Sequence, residues 1–193
     1  MTPRLILFTR FPTPGEAKTR LIPLLGAHGA AKLHQTLTER TVATLRTAGL
    51  PVEVYGTGAP VDAFREWLGE GLTFILQDEG GLGERLSAAL DPAPCIFFGA
   101  DTPDLSPQIV AQAAAALERH DGVIGPAKDG GYYLIGMKVP LPVLFRAMAW
   151  STDAVFPETM RRVAGLGLHF AILETLSDCD RPEDLACWPF LTP

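Results

Sequence analysis

Cys95-Ile-Phe-Phe-Gly-Ala-Asp101-Thr-Pro-Asp-Leu-Ser106-Pro107 is the stretch that decides the fold. Its first four residues are apolar and predict a strand buried on both faces, which is typical of a parallel sheet covered by helices. Ser106 followed by Pro107 predicts the start of a helix, because serine caps a helix N-terminus and proline suits the first helical position. The stretch therefore predicts a strand, a polar loop and a helix, which is the repeating unit of an α/β domain.

The same alternation of short apolar runs and helical patterns extends along the chain in both directions. The other predicted strands are residues 5–8, 52–55, 72–76, 122–125, 132–137 and 168–173. The predicted helices are residues 27–48, 61–68, 84–90, 107–119, 142–148 and 154–164, with a last short one opening at 181–185. We therefore predict one domain over residues 1–193, a three-layer α/β fold with a mainly parallel sheet of about seven strands.

The composition excludes several classes of protein. Of the 193 residues, 47% are hydrophobic and 20% are charged, which is the balance of a globular domain and not of a disordered chain. No apolar run approaches the roughly 18 residues of a membrane span. The net charge is −6 and the basic residues form no block, which argues against nucleic acid as a partner. We expect a cytoplasmic protein without a membrane span that acts on small molecules.

The loop after the first strand contains the first candidate ligand-binding residues, because ligands bind α/β sheets beyond the carboxyl ends of the strands. It runs from Thr9 to Arg20, where two prolines and Gly15 make a stiff turn and Lys18 follows. Backbone N–H groups beside lysine and arginine suit a phosphate or a diphosphate. The alternative interpretation is a proline-rich loop whose charges are solvated.

Glycines and carboxylates follow later strands. The loop 77–85 holds three glycines, which allow the backbone to approach a flat ligand or simply make a flexible entry into the next helix. Asp101 comes just after a buried strand, where a carboxylate can bind Mg²⁺ or Mn²⁺ or can cap a turn. Asp178 and Asp180 follow the last strand, where they could complete a metal site with Asp101, or Asp180 could cap the helix that begins at Pro182.

The segment between the strands at 122–125 and 132–137 contains the turn Asp129-Gly-Gly, which predicts a hairpin. Asp129 could also face the ligand cleft as a base on the acceptor side. Tyr132 and Tyr133 follow it, and successive side chains of a strand point to opposite faces. At most one of these two tyrosines should therefore line the cleft.

Several motifs occur together and in a fixed order along the chain. They are Pro14-Gly15-x-x-Lys18-Thr-Arg20-Leu, Gly83-Glu-Arg85-Leu, Gly99-Ala-Asp101-Thr-Pro-Asp, Asp129-Gly-Gly-Tyr-Tyr and Asp178-x-Asp180-x-Pro-Glu-Asp-Leu. Over essentially its whole length the chain resembles a family of small bacterial glycosyltransferase-like proteins of the nucleotide-diphospho-sugar transferase superfamily, of the arsenosugar-biosynthesis or radical-SAM-associated type. It is more distantly similar to 2-phospholactate guanylyltransferase and molybdenum-cofactor guanylyltransferase.

The resemblance implies the GT-A fold, with a Rossmann-like sheet that includes one short antiparallel strand. It implies Mg²⁺ or Mn²⁺ on Asp101 and Asp180. Lys18 and Asp129 are the candidate catalytic residues: Lys18 would neutralise charge on the leaving nucleotide, and Asp129 would orient or deprotonate the acceptor hydroxyl. The resemblance also implies nucleotide-binding residues in the loops after the first and third strands, namely Thr9, Arg10, Gly15, Lys18, Arg20, Gln77, Gly83 and Arg85. The chain departs from many GT-A glycosyltransferases at Asp101-Thr-Pro-Asp104, whose carboxylates are three residues apart where those enzymes have Asp-x-Asp.

These motifs lead to three hypotheses. The first is a metal-dependent transferase that uses a nucleoside-diphosphate sugar as donor and a small molecule as acceptor. The second is a nucleotidyltransferase that joins a nucleoside triphosphate to a phosphorylated small molecule. The third is a protein that binds nucleotides without catalysis, although a pure binder has no need of both metal carboxylates.

Overall fold

The apolar runs of the sequence form one seven-stranded sheet in the computed structural model, which describes residues 2–191. The strands are β1 Arg4–Arg10, β2 Val52–Thr57, β3 Thr73–Leu76, β4 Cys95–Phe98, β5 Gly122–Pro126, β6 Tyr132–Met137 and β7 Phe170–Ile172. Their spatial order is β3-β2-β1-β4-β6-β5-β7. Strand β6 is antiparallel to both of its neighbours, and the other pairings are parallel. The sheet is therefore mixed but mainly parallel, as predicted.

Five α-helices connect the strands: α1 Ile22–Arg46, α2 Val61–Leu68, α3 Leu82–Ala88, α4 Pro107–Arg119 and α5 Val155–Gly165. Helix α1 begins earlier than predicted, and its first turn is set off by a kink at Gly26, where φ is 69°. The helix predicted at 142–148 is wrong beyond one 3-10 turn, Pro142–Leu144. Ala147 has φ of 48°, a left-handed conformation that cannot continue a right-handed helix.

The helices cover both faces of the sheet, which makes the three layers. Alternate residues of β1 point to opposite sides: Leu5 and Leu7 belong to a cluster with α1, α2 and α4, whereas Ile6 belongs to a cluster with α3 and α5. The same alternation places Tyr133 and Tyr132 in different clusters. Both tyrosines nevertheless line the same cavity at the carboxyl ends of the strands, so the prediction that at most one would do so is wrong. Within residues 2–191 no helix has the length and apolar character needed to cross a bilayer.

The segment after β7 returns across the carboxyl-end edge of the sheet and packs on α1. Cys179, Leu185 and Trp188 from this segment share a buried cluster with Leu33 and Leu37 of the helix. The last predicted helix is here a 3-10 helix, Pro182–Cys187. This packing brings residues 178–180 next to the loops that follow β1 and β4, far from them in sequence but adjacent in space.

The sheet also has the topology that creates a ligand crevice. From β1 the chain adds β2 and then β3 on one side, and β4 lies on the other side. The loops after β1 and β4 therefore diverge, which leaves an opening at the carboxyl ends of these two strands. The candidates from Thr9 to Arg20 lie at the end of β1 or follow it, and Asp101 follows β4, whereas the other candidates follow β3, β5 and β7.

Candidate active site

A cavity of about 430 Å³ lies at the carboxyl ends of β1 and β4. Much of its wall is apolar or aromatic, and it includes Phe8, Leu82, Leu86, Phe97, Tyr132 and Trp150. Phe8 meets Phe97 edge to face, with ring centroids 5.7 Å apart, and Tyr132 meets Trp150 in the same way at 6.3 Å. The volume is within the usual range for a small-molecule site.

A second, more polar cavity of about 280 Å³ adjoins the first. The two cavities share Arg10, His34 and Asp101 in their walls, and the second adds Lys18 and Arg20. The cleft is thus divided into an aromatic compartment and a charged compartment. Such a division suits a ligand that has an uncharged ring system at one end and an anionic group at the other.

The Lys18 ammonium lies at the centre of the charged compartment. Its Nζ is 2.6 Å from Asp101 Oδ1 and 2.6 Å from Asp180 Oδ1, and it donates to the Cys179 carbonyl oxygen at 2.7 Å. The lysine side chain is only 4% exposed, whereas the two carboxylates are about two-fifths exposed. Burial alone would lower the pKa of Lys18, but the two carboxylates outweigh it and raise that pKa. The ammonium is therefore charged at neutral pH.

Asp101 and Asp180 reach this point from distant parts of the chain. Asp101 follows β4, and its carbonyl oxygen accepts a hydrogen bond from Cys179 N at 2.8 Å, which ties the C-terminal segment to that loop. Burial opposes ionisation of Asp101, yet Lys18 lowers its pKa. Asp104, by contrast, accepts a hydrogen bond from Trp188 Nε1 at 2.9 Å. Within the described chain the second carboxylate on the lysine is thus Asp180 and not Asp104.

Asp178, which the sequence indicated together with Asp180 as a possible metal ligand, has a different partner in the structure. Thr102 Oγ1 donates to Asp178 Oδ1 at 2.6 Å. Burial, together with the charges of Asp101, Asp129 and Asp180, raises the pKa of Asp178 to about 6, against the effect of the Thr102 hydrogen bond. The spacing of Asp178 and Asp180 was the only signal for it in the sequence, and the two side chains have different partners.

His34 on α1 is a residue that the sequence analysis left unassigned, and it supports the end of β1. Its Nε2 lies 2.9 Å from the Arg10 carbonyl oxygen, so this nitrogen carries a proton and donates. The same nitrogen is 3.3 Å from Thr9 Oγ1, which is also 3.3 Å from Thr38 Oγ1. Burial lowers the pKa of His34, which keeps the ring neutral. A polar residue on the buried face of a predicted helix was the only sign of this role.

Arg10, Arg20 and Gly15 are more exposed parts of the β1 loop. Arg10 pairs with Glu16 at 3.1 Å, and Arg20 is 59% exposed and only 3.5 Å from Asp180 Oδ2. Gly15 has φ of 88°, which favours glycine, but it lines neither cavity. The arginines are therefore free to reorient towards an anion, whereas Lys18 is held.

The loop after β3 is tied to the sheet by Gln77. Its Nε2 donates to the carbonyl oxygens of Thr9 and Tyr55 at 3.1 and 2.8 Å, and its Oε1 accepts from Arg85 at 3.3 Å. Gln77 lines the aromatic compartment, but Arg85 does not. Gly83 lines a separate cavity on the other side of Trp150. Of these three predicted nucleotide-binding residues, only Gln77 lines the aromatic compartment, and Gly83 and Arg85 lie outside it.

Asp129 lies at the tip of the β5–β6 hairpin, which has the predicted turn. Its Oδ1 accepts from Gly131 N at 2.8 Å, and the residue lines the aromatic compartment. Ser151, with φ of 63°, and Thr152 line the same compartment. A non-glycine residue in the left-handed region costs energy and often marks a functional segment. Asp129, Ser151 and Thr152 thus form part of the wall of the aromatic compartment.

The residues around Lys18 suit a divalent cation that shares its ligands with a substrate. Asp101 Oδ1 and Asp180 Oδ1 converge on one point, and Mg²⁺ is often held by one or two carboxylates with substrate phosphates and water. Within residues 2–191 no group of three or more His, Cys, Asp and Glu side chains forms a complete metal cage. The donor pair fits such a cation, although an ammonium lies at the shared point.

Solved structures with the same fold include several transferases. A protein of Desulfovibrio desulfuricans G20, provisionally named a nucleotide-diphospho-sugar transferase, superposes with a TM-score of 0.90 at 29% identity over 96% of this chain and 85% of that chain. The inositol-1-phosphate CTP transferase of T. maritima gives 0.66 at 13% identity, over 98% and 95%. Rv0371c of Mycobacterium tuberculosis H37Rv, solved in complex with manganese, gives 0.60 at 13% identity, over 97% and 97%.

These likenesses confirm the GT-A-like fold, which nucleotidyltransferases and sugar transferases share. The two matches at 13% identity show the fold alone. None of the curated proteins matches the chain. Residues 40–152, more than half of the chain, match the model of a family described as "Uncharacterized protein conserved in bacteria (DUF2064)". The chain therefore belongs to the DUF2064 family.

Proposed function

We propose that the protein is a Mg²⁺- or Mn²⁺-dependent transferase that takes a nucleoside-diphosphate sugar as donor and passes the sugar to a small acceptor. One observation supports this most strongly. Asp101 and Asp180 converge on a single cation position at the border between the aromatic compartment and the charged compartment. The name of the Desulfovibrio relative agrees with this donor class. The finer resemblance to arsenosugar-biosynthesis and radical-SAM-associated transferases rests on the sequence motifs.

The donor would span the two compartments. The aromatic compartment, with Phe8 and Trp150 in its wall, would accept the nucleoside, because flat rings stack on aromatic side chains. The diphosphate would lie in the charged compartment, where Arg10 and Arg20 have exposed guanidinium groups. Arginine binds phosphate oxygens in a bidentate manner, so these two side chains would orient the diphosphate.

Asp101 and Asp180 would hold the metal ion, which would supply charge stabilisation for the departing nucleoside diphosphate. Lys18 and Arg20 would neutralise the same developing charge, because both line the charged compartment. The hydrogen bonds of His34 and Gln77 to the end of β1 would keep the loop in position.

Asp129 would act on the acceptor. Its Oδ1 is tied to the Gly131 N–H, so Oδ2 is the oxygen that would take the proton from an acceptor hydroxyl. Ser151 and Thr152 line the same wall and would orient the acceptor. The base and the leaving group would then lie on different walls of the cleft, as transfer between two bound molecules requires.

Nucleotidyl transfer is the second candidate function. The T. maritima protein of the same fold is named a CTP transferase, and a cationic loop beside two carboxylates also suits a nucleoside triphosphate. In that reaction a phosphorylated acceptor would attack the α-phosphate and release pyrophosphate. The products therefore distinguish the two functions: nucleoside diphosphate from sugar transfer, and pyrophosphate from nucleotidyl transfer.

The test is a thermal-shift screen of the purified protein against UDP-, GDP-, CDP- and ADP-sugars and the matching triphosphates, with and without Mn²⁺ or Mg²⁺. A ligand at about 100 times its Kd stabilises the folded state by about 2.7 kcal/mol, which is readily measured. A metal-dependent shift with one sugar nucleotide, and release of its nucleoside diphosphate in turnover, supports the proposal. A shift confined to one triphosphate supports nucleotidyl transfer, and binding without any turnover supports a non-catalytic binder. No shift at all would overturn both enzymatic functions.

A further inference from the structure

The cation position between Asp101 and Asp180 already has an occupant that belongs to the chain. Lys18 Nζ is 2.6 Å from a carboxylate oxygen of each. We propose that the Lys18 ammonium and a divalent metal ion are alternative occupants of this carboxylate pair, so that the metal enters only when the ammonium leaves. The proposal rests on the metal-dependent function above and adds to it the order of events: the ammonium leaves the carboxylates before the metal ion binds.

The ammonium is held as a built-in cation and not as a loose surface charge. An ammonium has three N–H donors, and the three contacts, to Asp101, Asp180 and the Cys179 carbonyl oxygen, use all of them. The side chain is 4% exposed, and its backbone is held in the left-handed region, with φ of 48° and ψ of 45°. Lys18 thereby joins the loop after β1, the loop after β4 and the C-terminal segment.

The two cations exclude each other for reasons of space and charge. Metal–oxygen distances for Mg²⁺ are about 2.1 Å, so an ion bound by both oxygens would occupy the space that the Lys18 nitrogen occupies. A divalent ion and an ammonium a few ångströms apart in a partly buried site also repel strongly. The pair of carboxylates carries two negative charges, and Lys18 compensates one of them. A metal ion that replaces Lys18 must therefore bind the carboxylates more strongly than the ammonium does.

A phosphate-bearing ligand lowers this cost, because it offers the released ammonium new acceptors. Lys18 lies in the wall of the charged compartment, so a short movement of Nζ would take it from the carboxylates to a diphosphate. Metal ion and diphosphate should therefore bind together, with each weak in the absence of the other. Arg20 is exposed and lies 3.5 Å from Asp180 alone, so it does not occupy the space between the two carboxylates.

The first experiment measures Mn²⁺ binding to the nucleotide-free chain by the electron paramagnetic resonance signal of unbound Mn²⁺. The variants are Lys18→Met, which removes the ammonium, and Arg20→Met, which removes a nearby charge but leaves Lys18 between the carboxylates. We expect Lys18→Met to bind Mn²⁺ about tenfold more tightly or better than the wild type, and Arg20→Met to change the affinity much less. Equal affinity of the wild type and a folded Lys18→Met variant would overturn the proposal, as would an equal gain in Arg20→Met.

The second experiment uses the wild type and does not depend on the folding of a variant. The chain has four lysines, Lys18, Lys32, Lys128 and Lys138, so acylation of each can be followed by peptide mass mapping with the last three as references. We expect millimolar Mn²⁺ to increase labelling of Lys18 several-fold, and added inorganic pyrophosphate to protect it again. Labelling of Lys18 that is unchanged when Mn²⁺ is bound would overturn the exchange. Neither experiment uses a sugar nucleotide or turnover, so a failure of the exchange and a failure of the proposed function are separate results.

Discussion

Asp101→Asn is the substitution that most directly tests the ion pairs of Lys18 with Asp101 and Asp180. Asparagine has the size of aspartate and keeps an oxygen that can accept a hydrogen bond from Lys18, but it removes the charge. At the 2.6 Å separation of Lys18 Nζ and Asp101 Oδ1, two unit charges attract by about 6 kcal/mol at an effective dielectric constant near 20. This value is an upper bound on the stabilisation that the folded protein loses when the charge of Asp101 is removed.

Two features of the site reduce that bound. Asp101 is 41% exposed, so water screens the pair. The substitution also removes repulsion from Asp178, whose pKa the charge of Asp101 helps to raise. Lys18 keeps Asp180 and the Cys179 carbonyl oxygen as partners. We therefore expect the free energy of unfolding to fall by about 2 kcal/mol, less than the 3–5 kcal/mol that follows when a fully buried pair is broken.

The assay is urea denaturation at pH 7.5 in the presence of a chelator, so that no bound metal contributes. A loss of about 2 kcal/mol corresponds to a fall in Tm of roughly 4–8 °C in a domain of this size. Asp129→Asn is the matched control, because it removes a carboxylate from the same cleft without touching Lys18, and Asn can still accept from Gly131 N. We expect this control to change stability by less than about 0.5 kcal/mol. Wild-type stability in Asp101→Asn, or an equal loss in both variants, would refute the reasoning.

Three further predictions concern pH, packing and metal. Burial raises the pKa of Asp178 from 3.8 to about 6, so folding takes up protons and stability falls as the pH rises between these values. Asp178→Asn should thus be more stable than the wild type at pH 7.5, by up to about 3 kcal/mol, with a gain in urea denaturation that vanishes towards pH 4. Gly83→Ala should destabilise the fold by about 1–3 kcal/mol, because its Cβ would lie 2.4 Å from the Phe145 carbonyl oxygen. The control is Gly81→Ala, which has room for a Cβ and should be almost neutral in the same urea assay. Chelation should abolish release of nucleoside diphosphate and excess Mn²⁺ should restore it; full turnover in the chelator would reject the metal-dependent function.

Much of the secondary structure could be predicted because its signals are local. The apolar run Cys95–Phe98 forms a strand in which all four residues are buried, and Ser106 caps α4 by accepting from Ile109 N. The 142–148 segment was mispredicted because the left-handed backbone at Ala147 is not required by its residue type. The beginning of α1 was missed because Gly26, with a non-helical φ of 69°, interrupts the helical pattern after the first turn.

The chemistry of the loops could be named from sequence for the same reason. The sequence by itself determined that Asp101 follows a buried strand, that Lys18 and Arg20 follow another, and that Asp180 precedes a proline-initiated turn. These statements depend only on near neighbours along the chain. They were sufficient to nominate the two carboxylates and the cations as candidates for one site.

Only the tertiary structure decided how these groups meet. Lys18 and Asp180 are 162 residues apart, and their contact exists because apolar residues such as Leu185 and Trp188 pack the C-terminal segment on α1. No local pattern encodes which of two possible partners, a phosphate or a carboxylate pair, the lysine will face. That choice depends on burial, since an ammonium that is 4% exposed must lie beside opposite charges, and burial is a property of the assembled fold.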